Sequence, residues 1–287
     1  MTSQHNTVAV VTPAGIPDPE QLARGVALLE SWGLRVSTGA HVAERFRYFA
    51  GNHAQRTGDL VDALRDPAVD VVWIARGGYG CTHLLTSLPD AVPCDKTVIG
   101  FSDVTALFCA LRGMDRVRLI HGPTLTSLVA TVDDASRDSA RAALTGIAQP
   151  PLPLTLLHGA TGTVAGPLVG GNVTVLASMA GSRWQPRFQD SIVVLEDVTE
   201  LAYRLDRSLM TLRHAGMFDG ARAIVLGEFV RCPLPPGADY TLDDVLLDVL
   251  GPLGIPVYSG MPVGHAERNV SWVVGQRAVI EGGALLR

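Results

Sequence analysis

The sequence is short of the features that several protein classes require. Its four cysteines, Cys81, Cys94, Cys109 and Cys232, form no CxxC pair, so it encodes neither a zinc knuckle nor a dithiol redox centre. They are expected to be buried free thiols in a reducing cytoplasm. No window approaches the roughly 18 apolar residues of a membrane-spanning helix; the strand-like run Val69 to Ala75 is bracketed by Asp66 and Arg76. There is no basic stretch able to neutralise a row of phosphates, and the formal charge is -5, which argues against a nucleic-acid or anionic-membrane partner. The N-terminal MTSQHNTVAVVTPAG has no basic region ahead of an apolar one and is expected to form a first strand rather than a signal peptide. The eight histidines contain no HExxH or other close ligand pair, and no stretch places G-x-G-x-x-G at a strand-turn-helix junction. The expectation is a protein that works without a metal or cofactor on a small molecule or peptide.

What is present is apolar and punctuated. Hydrophobic residues make up 47% of the 287 residues, and 30 glycines and 18 prolines fall between the apolar runs rather than in a low-complexity tract. Val8 to Thr12 is a strand signal, followed by Leu22, Val26 and Leu29 on one helical face. Leu34 and Val36, then Leu60, Val61 and Leu64, repeat the unit, and VDVVWIA (69–75) is apolar on both faces, as a central parallel strand should be. Thr97 to Phe101 and the helix marked by Val104, Leu107, Phe108 and Leu111 continue the alternation. Residues 1–145 are therefore expected to form an α/β domain with a mostly parallel sheet. The Pro-rich run 149–153 suggests a linker over 146–164, and 165–287 a second, α+β domain. In it, Thr241 and Asp244 have capping-box spacing before Leu242, Val245, Leu246 and Val249.

Four segments carry chemistry. Gly100-Phe101-Ser102-Asp103 follows a strand and opens a helix, the position of a nucleophile elbow, although the final glycine of G-x-S-x-G is missing and a serine there is also a favoured helix cap. Arg76-Gly77-Gly78-Tyr79-Gly80 follows the buried strand; adjacent glycines let backbone N–H groups face an anion, or simply make a tight turn. Glu196 and Asp197 end another apolar run, able to orient a histidine or to favour the N-terminus of the following helix. His265 lies in GHAERN (264–269), after a segment stiffened by Pro256 and Pro262. Serine, acid and histidine in this order suit hydrolysis: the imidazole takes the hydroxyl proton and the carboxylate fixes its tautomer.

The segments ARGGYG (75–80), IGFSD (99–103), HGP (121–123), GGN (170–172), LED (195–197), YRLDR (203–207) and GHAERN (264–269) together resemble the LD-carboxypeptidase family nearly end to end. The resemblance implies a flavodoxin-like N-terminal parallel-sheet domain carrying the nucleophile Ser102 and a β-rich α+β C-terminal domain carrying Glu196 and His265. It implies an oxyanion hole from the backbone N–H of Asp103 and one from the glycine loop, Gly78, and a cytoplasmic homodimer. Murein-type members release terminal D-alanine from muropeptide tetrapeptides in cell-wall recycling, cutting an L,D-peptide bond; a microcin-immunity branch hydrolyses peptidyl-nucleotides. YRLDRSLMTLRHAGMFDG favours the first, while Trp184, if free to stack on a nucleobase rather than packed, would favour the second. Arg76, beside Gly77, is a candidate for the substrate's free carboxylate or a structural ion-pair partner. A two-lobed small-ligand binding protein without turnover is the alternative from another class.

Overall fold

A computed structural model describes residues 7–287, which form two compact units. The first comprises residues up to Ala148 together with Asn269–Val273; the second comprises Gln149–Arg268 and Val274–Arg287.

In the first unit, strands β1 (Thr7–Val11), β2 (Arg35–Thr38), β3 (Val71–Ile74), β4 (Lys96–Gly100) and β5 (Val117–His121) form a parallel sheet in the order β2-β1-β3-β4-β5. This is the flavodoxin-like order, whose ligands sit beyond the carboxyl ends of the strands near the switch between β1 and β3. β3 takes the central place because all four of its side chains are apolar and none is exposed. Trp73, fully buried there, places its indole N–H 3.1 Å from the Pro123 carbonyl, so the polar tip of a large core ring is satisfied.

Helices α1 (Pro19–Ser31) and α2 (His53–Arg65) begin at side-chain caps: Asp18 accepts from Gln21 N, and Asn52 and Gln55 form a reciprocal capping box. Helices α3 (Thr105–Leu111), α4 (Leu125–Ala130) and α5 (Asp134–Thr145) complete the unit. Leu29, Leu125 and Leu128 close over Val8, Val10, Trp73, Ile99 and Ile120 of the sheet.

The second unit holds β6 (Leu152–Pro153), β7 (Thr155–His158), β8 (Val164–Asn172), β9 (Ile192–Val198), β10 (Ala223–Val230) and β11 (Val257–Ser259). Its helices are α6 (Val173–Ser178), α7 (Ala202–His214) and α8 (Leu242–Leu250). β8, β9, β10 and β11 run parallel, and β7 adds antiparallel to β11. After β12 (Trp272–Val273), β13 (Arg277–Glu281) and β14 (Ala284–Leu286) pair antiparallel beyond β8, with β6 at the edge. The two-domain α/β fold expected from the alternation is the one observed.

The stretch read as a linker, 146–164, carries β6 and β7 of the second sheet. Proline is the reason the sequence misleads here: Pro153 sits in a strand paired on one side only, where a missing N–H is tolerated. Within the span read as a continuous C-terminal domain, Asn269–Val273 belongs to the first unit. Trp272 pairs with His121 as β12 extends the first sheet, its ring stacked on the His121 imidazole at 5.1 Å. Asn269 N and Ser271 N donate to Ser136 Oγ and Ser139 Oγ, both at 2.8 Å. No helix among the described residues is long and apolar enough to cross a membrane.

The Thr241 capping box forms, with Asp244 N donating to Thr241 Oγ1 and Thr241 N to Asp244 Oδ2. Its hydrogen bonds hold the Asp244 carboxyl below the usual carboxylate range. Thr241→Ala is expected to lower stability by about 1 kcal/mol, read as an earlier denaturation midpoint. The carboxylate's own share is present above the unfolded-state pKa and is lost as pH falls through the depressed folded value.

Candidate active site

Ser102 is the first residue after β4 and Phe101, at the start of a 3-10 turn over Ser102–Val104. Its φ of +66° is left-handed, a conformation that carries strain in a non-glycine residue and is compatible with the turn of a nucleophile elbow. The alternative role as a helix cap is not realised, since neither the 3-10 turn nor α3 is capped by a side chain. Ser102 is half-buried. The glycine loop after β3 lies against it: a Cβ on Gly77 would fall 3.0 Å from Ser102 Cβ and 3.2 Å from its Oγ. Gly77 O accepts from Gly15 N at 3.0 Å, which fixes the loop to the segment after β1. Gly78 is exposed with a φ of +108°.

Asp103, the next residue, is 3% exposed and accepts a 2.8 Å hydrogen bond from Cys81 N. Burial raises its carboxyl pKa, opposed by the bonds from Cys81 and the Arg56 charge. The thiol of Cys81 is fully buried, and burial together with the Asp103 charge pushes it well above the ordinary range. Burial therefore disfavours the thiolate form of Cys81. Arg76 is exposed, and its guanidinium donates to the Ile16 carbonyl; it makes no salt bridge among the described residues.

In the second unit, β9 continues through Val198, so Glu196 and Asp197 lie within the strand rather than after it. The two carboxylates have different partners. Asp197 accepts from Asn172 Nδ2 at 3.0 Å and from Thr174 N and Oγ1 at 2.9 and 2.8 Å, which ties it to the start of α6. The helix end it serves is that of α6, which precedes β9, and not that of the following helix α7. Asn172 sits opposite Glu196 in the β8–β9 register and caps α6 through Val175 N, giving the GGN segment a structural purpose.

Glu196, with no exposure, lies 2.9 Å through Oε2 from His265 Nδ1. Burial raises the Glu196 pKa, and the hydrogen bond and charge of His265 pull it back. With Glu196 ionised, its carboxylate only accepts, and the contact then puts a proton on Nδ1 and leaves Nε2 as the acceptor nitrogen. The geometry depends on Gly264, whose φ is +131°; a Cβ there would lie 3.0 Å from Glu196 Oε2 and 3.1 Å from the Glu228 carbonyl. Glu228 N in turn donates to Val263 O at 2.8 Å, holding the histidine loop on an irregularity in β10.

Trp184 is half-buried, with the Arg183 guanidinium 4.4 Å from its ring centroid. No group of three or more His, Cys, Asp and Glu among the described residues is arranged to hold a metal ion. The residue that sequence reasoning passed over is Arg56. Its signal was an arginine on the core-facing stripe of α2, in register with Leu60, Ala63 and Leu64, and it is 1% exposed.

Two outcomes test this geometry. Of the four thiols expected to be buried, Cys81 is buried and Cys94, Cys109 and Cys232 are half-buried, so iodoacetamide is expected to leave Cys81 unmodified in the native protein; mass spectrometry after unfolding should find all four thiols reactive. Gly264→Ala is expected to cut the rate on any substrate by about 10²-fold through misplacement of His265, with a near-native circular dichroism spectrum.

The LD-carboxypeptidase N-terminal domain model matches residues 8–122 and the C-terminal domain model residues 165–280. The murein tetrapeptide carboxypeptidase of Pseudomonas aeruginosa is 36% identical over 293 residues, covering 97% of this chain and 94% of its own. The crystal structure of muramoyltetrapeptide carboxypeptidase from Oxalobacter formigenes superposes with a TM-score of 0.83 at 30% identity, over 96% of this chain and 97% of that one. The microcin C7 self-immunity protein MccF of Escherichia coli is 25% identical over 305 residues, covering 94% of this chain and 90% of its own. With both halves matched and the relatives aligned along nearly their whole length, the chain belongs to the LD-carboxypeptidase family and is a carboxypeptidase.

Proposed function

We propose that the protein is a serine carboxypeptidase that removes the terminal D-alanine from muropeptide tetrapeptides by hydrolysing the L,D-peptide bond, with Ser102 as nucleophile, His265 as base and Glu196 as orienter. The observation that carries this reading is the fully buried Glu196 carboxylate 2.9 Å from His265 Nδ1, an arrangement whose chemical value is a basic Nε2. The strained Ser102 turn supports the nucleophile, and the relatives named for murein and muramoyl tetrapeptides support the substrate.

In this mechanism Ser102 Oγ attacks the scissile carbonyl carbon while its proton passes to His265 Nε2. The carbonyl oxygen becomes an oxyanion, stabilised by the backbone N–H groups of Asp103 and Gly78. Collapse breaks the C–N bond, and His265 returns the proton to the departing D-alanine amine. Water, deprotonated by His265, then attacks the acyl-enzyme and frees Ser102. Arg76 serves the substrate's free carboxylate; its hydrogen bond to the Ile16 carbonyl orients the guanidinium without neutralising it. The enzyme acts in the cytoplasm as a homodimer in this reading, as the resemblance to its family implies.

Release of D-alanine from a muropeptide tetrapeptide, followed by chromatography, is the direct test. Ser102→Ala should lower kcat by a factor on the order of 10⁶, and Glu196→Gln by about 10⁴. A wild-type enzyme that spares the tetrapeptide but cleaves a peptidyl-adenylate would instead assign the activity suggested by the MccF relative and by a Trp184 ring that is only half-buried.

A further inference from the structure

We propose that Arg56 and the Asp103 side chain are positioning residues that act on the reaction through one peptide group, the one joining Gly80 to Cys81. Its carbonyl accepts from Arg56 Nη1 at 3.0 Å, and its N–H donates to Asp103 Oδ2 at 2.8 Å. A cation and an anion thus hold the two ends of a single amide dipole, each meeting the partial charge opposite to its own. Both side chains are nearly sealed from water, Arg56 at 1% and Asp103 at 3% exposure, where charge-assisted hydrogen bonds are strong and an unpaired charge is costly.

The clamp is itself braced. Arg56 also donates to the Pro13 carbonyl, lies 2.6 Å from His53 Nδ1 through Nη2, and sits 4.3 Å from the centroid of the Phe49 ring. Gly80 has a φ of +140°, and a Cβ there would fall 2.6 Å from Arg56 Nη1, so only glycine lets the guanidinium reach the carbonyl.

The placement gives the clamp its consequence. Asp103 directly follows Ser102, and Gly80 closes the loop whose Gly77 packs against Ser102. The Asp103 carboxylate therefore ties the glycine loop to the nucleophile turn, while Arg56 sets that loop's height above the sheet. Resting on the reading of Ser102 as nucleophile, the clamp fixes the spacing of the two N–H donors, Asp103 and Gly78, before charge develops on the substrate oxygen. Donors held in place beforehand lower the barrier without reorganising during the reaction.

The test uses Asp103→Asn, which keeps an acceptor oxygen for Cys81 N–H but loses the charge, together with Arg56→Lys, Arg56→Gln and the double variant Arg56→Gln/Asp103→Asn. The readouts are kcat and KM for D-alanine release and the rate of fluorophosphonate labelling, in which Ser102 Oγ bonds to phosphorus as fluoride leaves and the phosphoryl oxygen occupies the donors' position. Rates are taken per labelled site, so loss of folded protein does not enter. Asp103→Asn and Arg56→Gln are each expected to lower kcat and labelling rate by about 10²-fold, with KM within about twofold. Arg56→Lys should recover part of the loss, and the double variant should be little worse than either single, as two hands on one peptide require. Unchanged per-site rates in Asp103→Asn and Arg56→Lys would overturn the proposal, as would fully additive losses; if Arg56→Gln does not fold, those two variants decide it. A wild-type protein that labels at a residue other than Ser102 would instead overturn the nucleophile itself.

Discussion

The feature on which the second unit's chemistry depends is a carboxylate with no access to water. Glu196 sits within a central parallel strand, where an isolated charge would be expensive, and its position is tolerable only because donors approach it from the neighbouring structure. His265 is the principal one. To deliver that imidazole, the chain needs a glycine in a left-handed conformation immediately before it, a hydrogen bond from Glu228 N to hold the loop, and a neighbouring strand carrying Asn172 opposite the acid. Removing any of these leaves a buried charge seeking a partner, so the pair is built into the sheet rather than appended to it.

The first unit meets a different constraint with a similar solution. A parallel sheet brings its loops to the carboxyl ends of β3 and β4, and there the Ser102 backbone is held in a strained turn while glycines let the adjacent loop come within van der Waals reach. Strain of this kind persists only when the surroundings over-determine it. The buried Asp103 and Arg56 on either side of one peptide supply that determination, and they do so with charges rather than apolar packing because a dipole is the thing to be gripped.

How much of this was legible differs from residue to residue. The alternating apolar runs marked β1, β3 and β4 because central parallel strands are buried on both faces, and the two-domain α/β fold follows from them. Ser102 was visible as a serine at a strand-to-helix junction, but helix capping accounts for such a serine equally well until the backbone angle is known. Glu196 and Asp197 are chemically interchangeable in the residue pattern; the fork between them is made by partners 25 and 69 residues away, Asn172 and His265. The strands β6 and β7 were hidden by prolines, and β12 by pairing with a strand far earlier in the chain. Arg56 was hidden by its own charge, which reads as solvent-facing although its helical stripe is apolar.

The claim that joins these elements is that Ser102 is the attacking group and that the His265–Glu196 pair removes its proton. Peptide mapping by mass spectrometry after reaction with a fluorophosphonate tests it most directly. The account predicts a single adduct, on the peptide that carries Ser102, formed far more slowly in His265→Ala and absent in Ser102→Ala. An adduct on any other residue, or labelling that persists in Ser102→Ala, would contradict it.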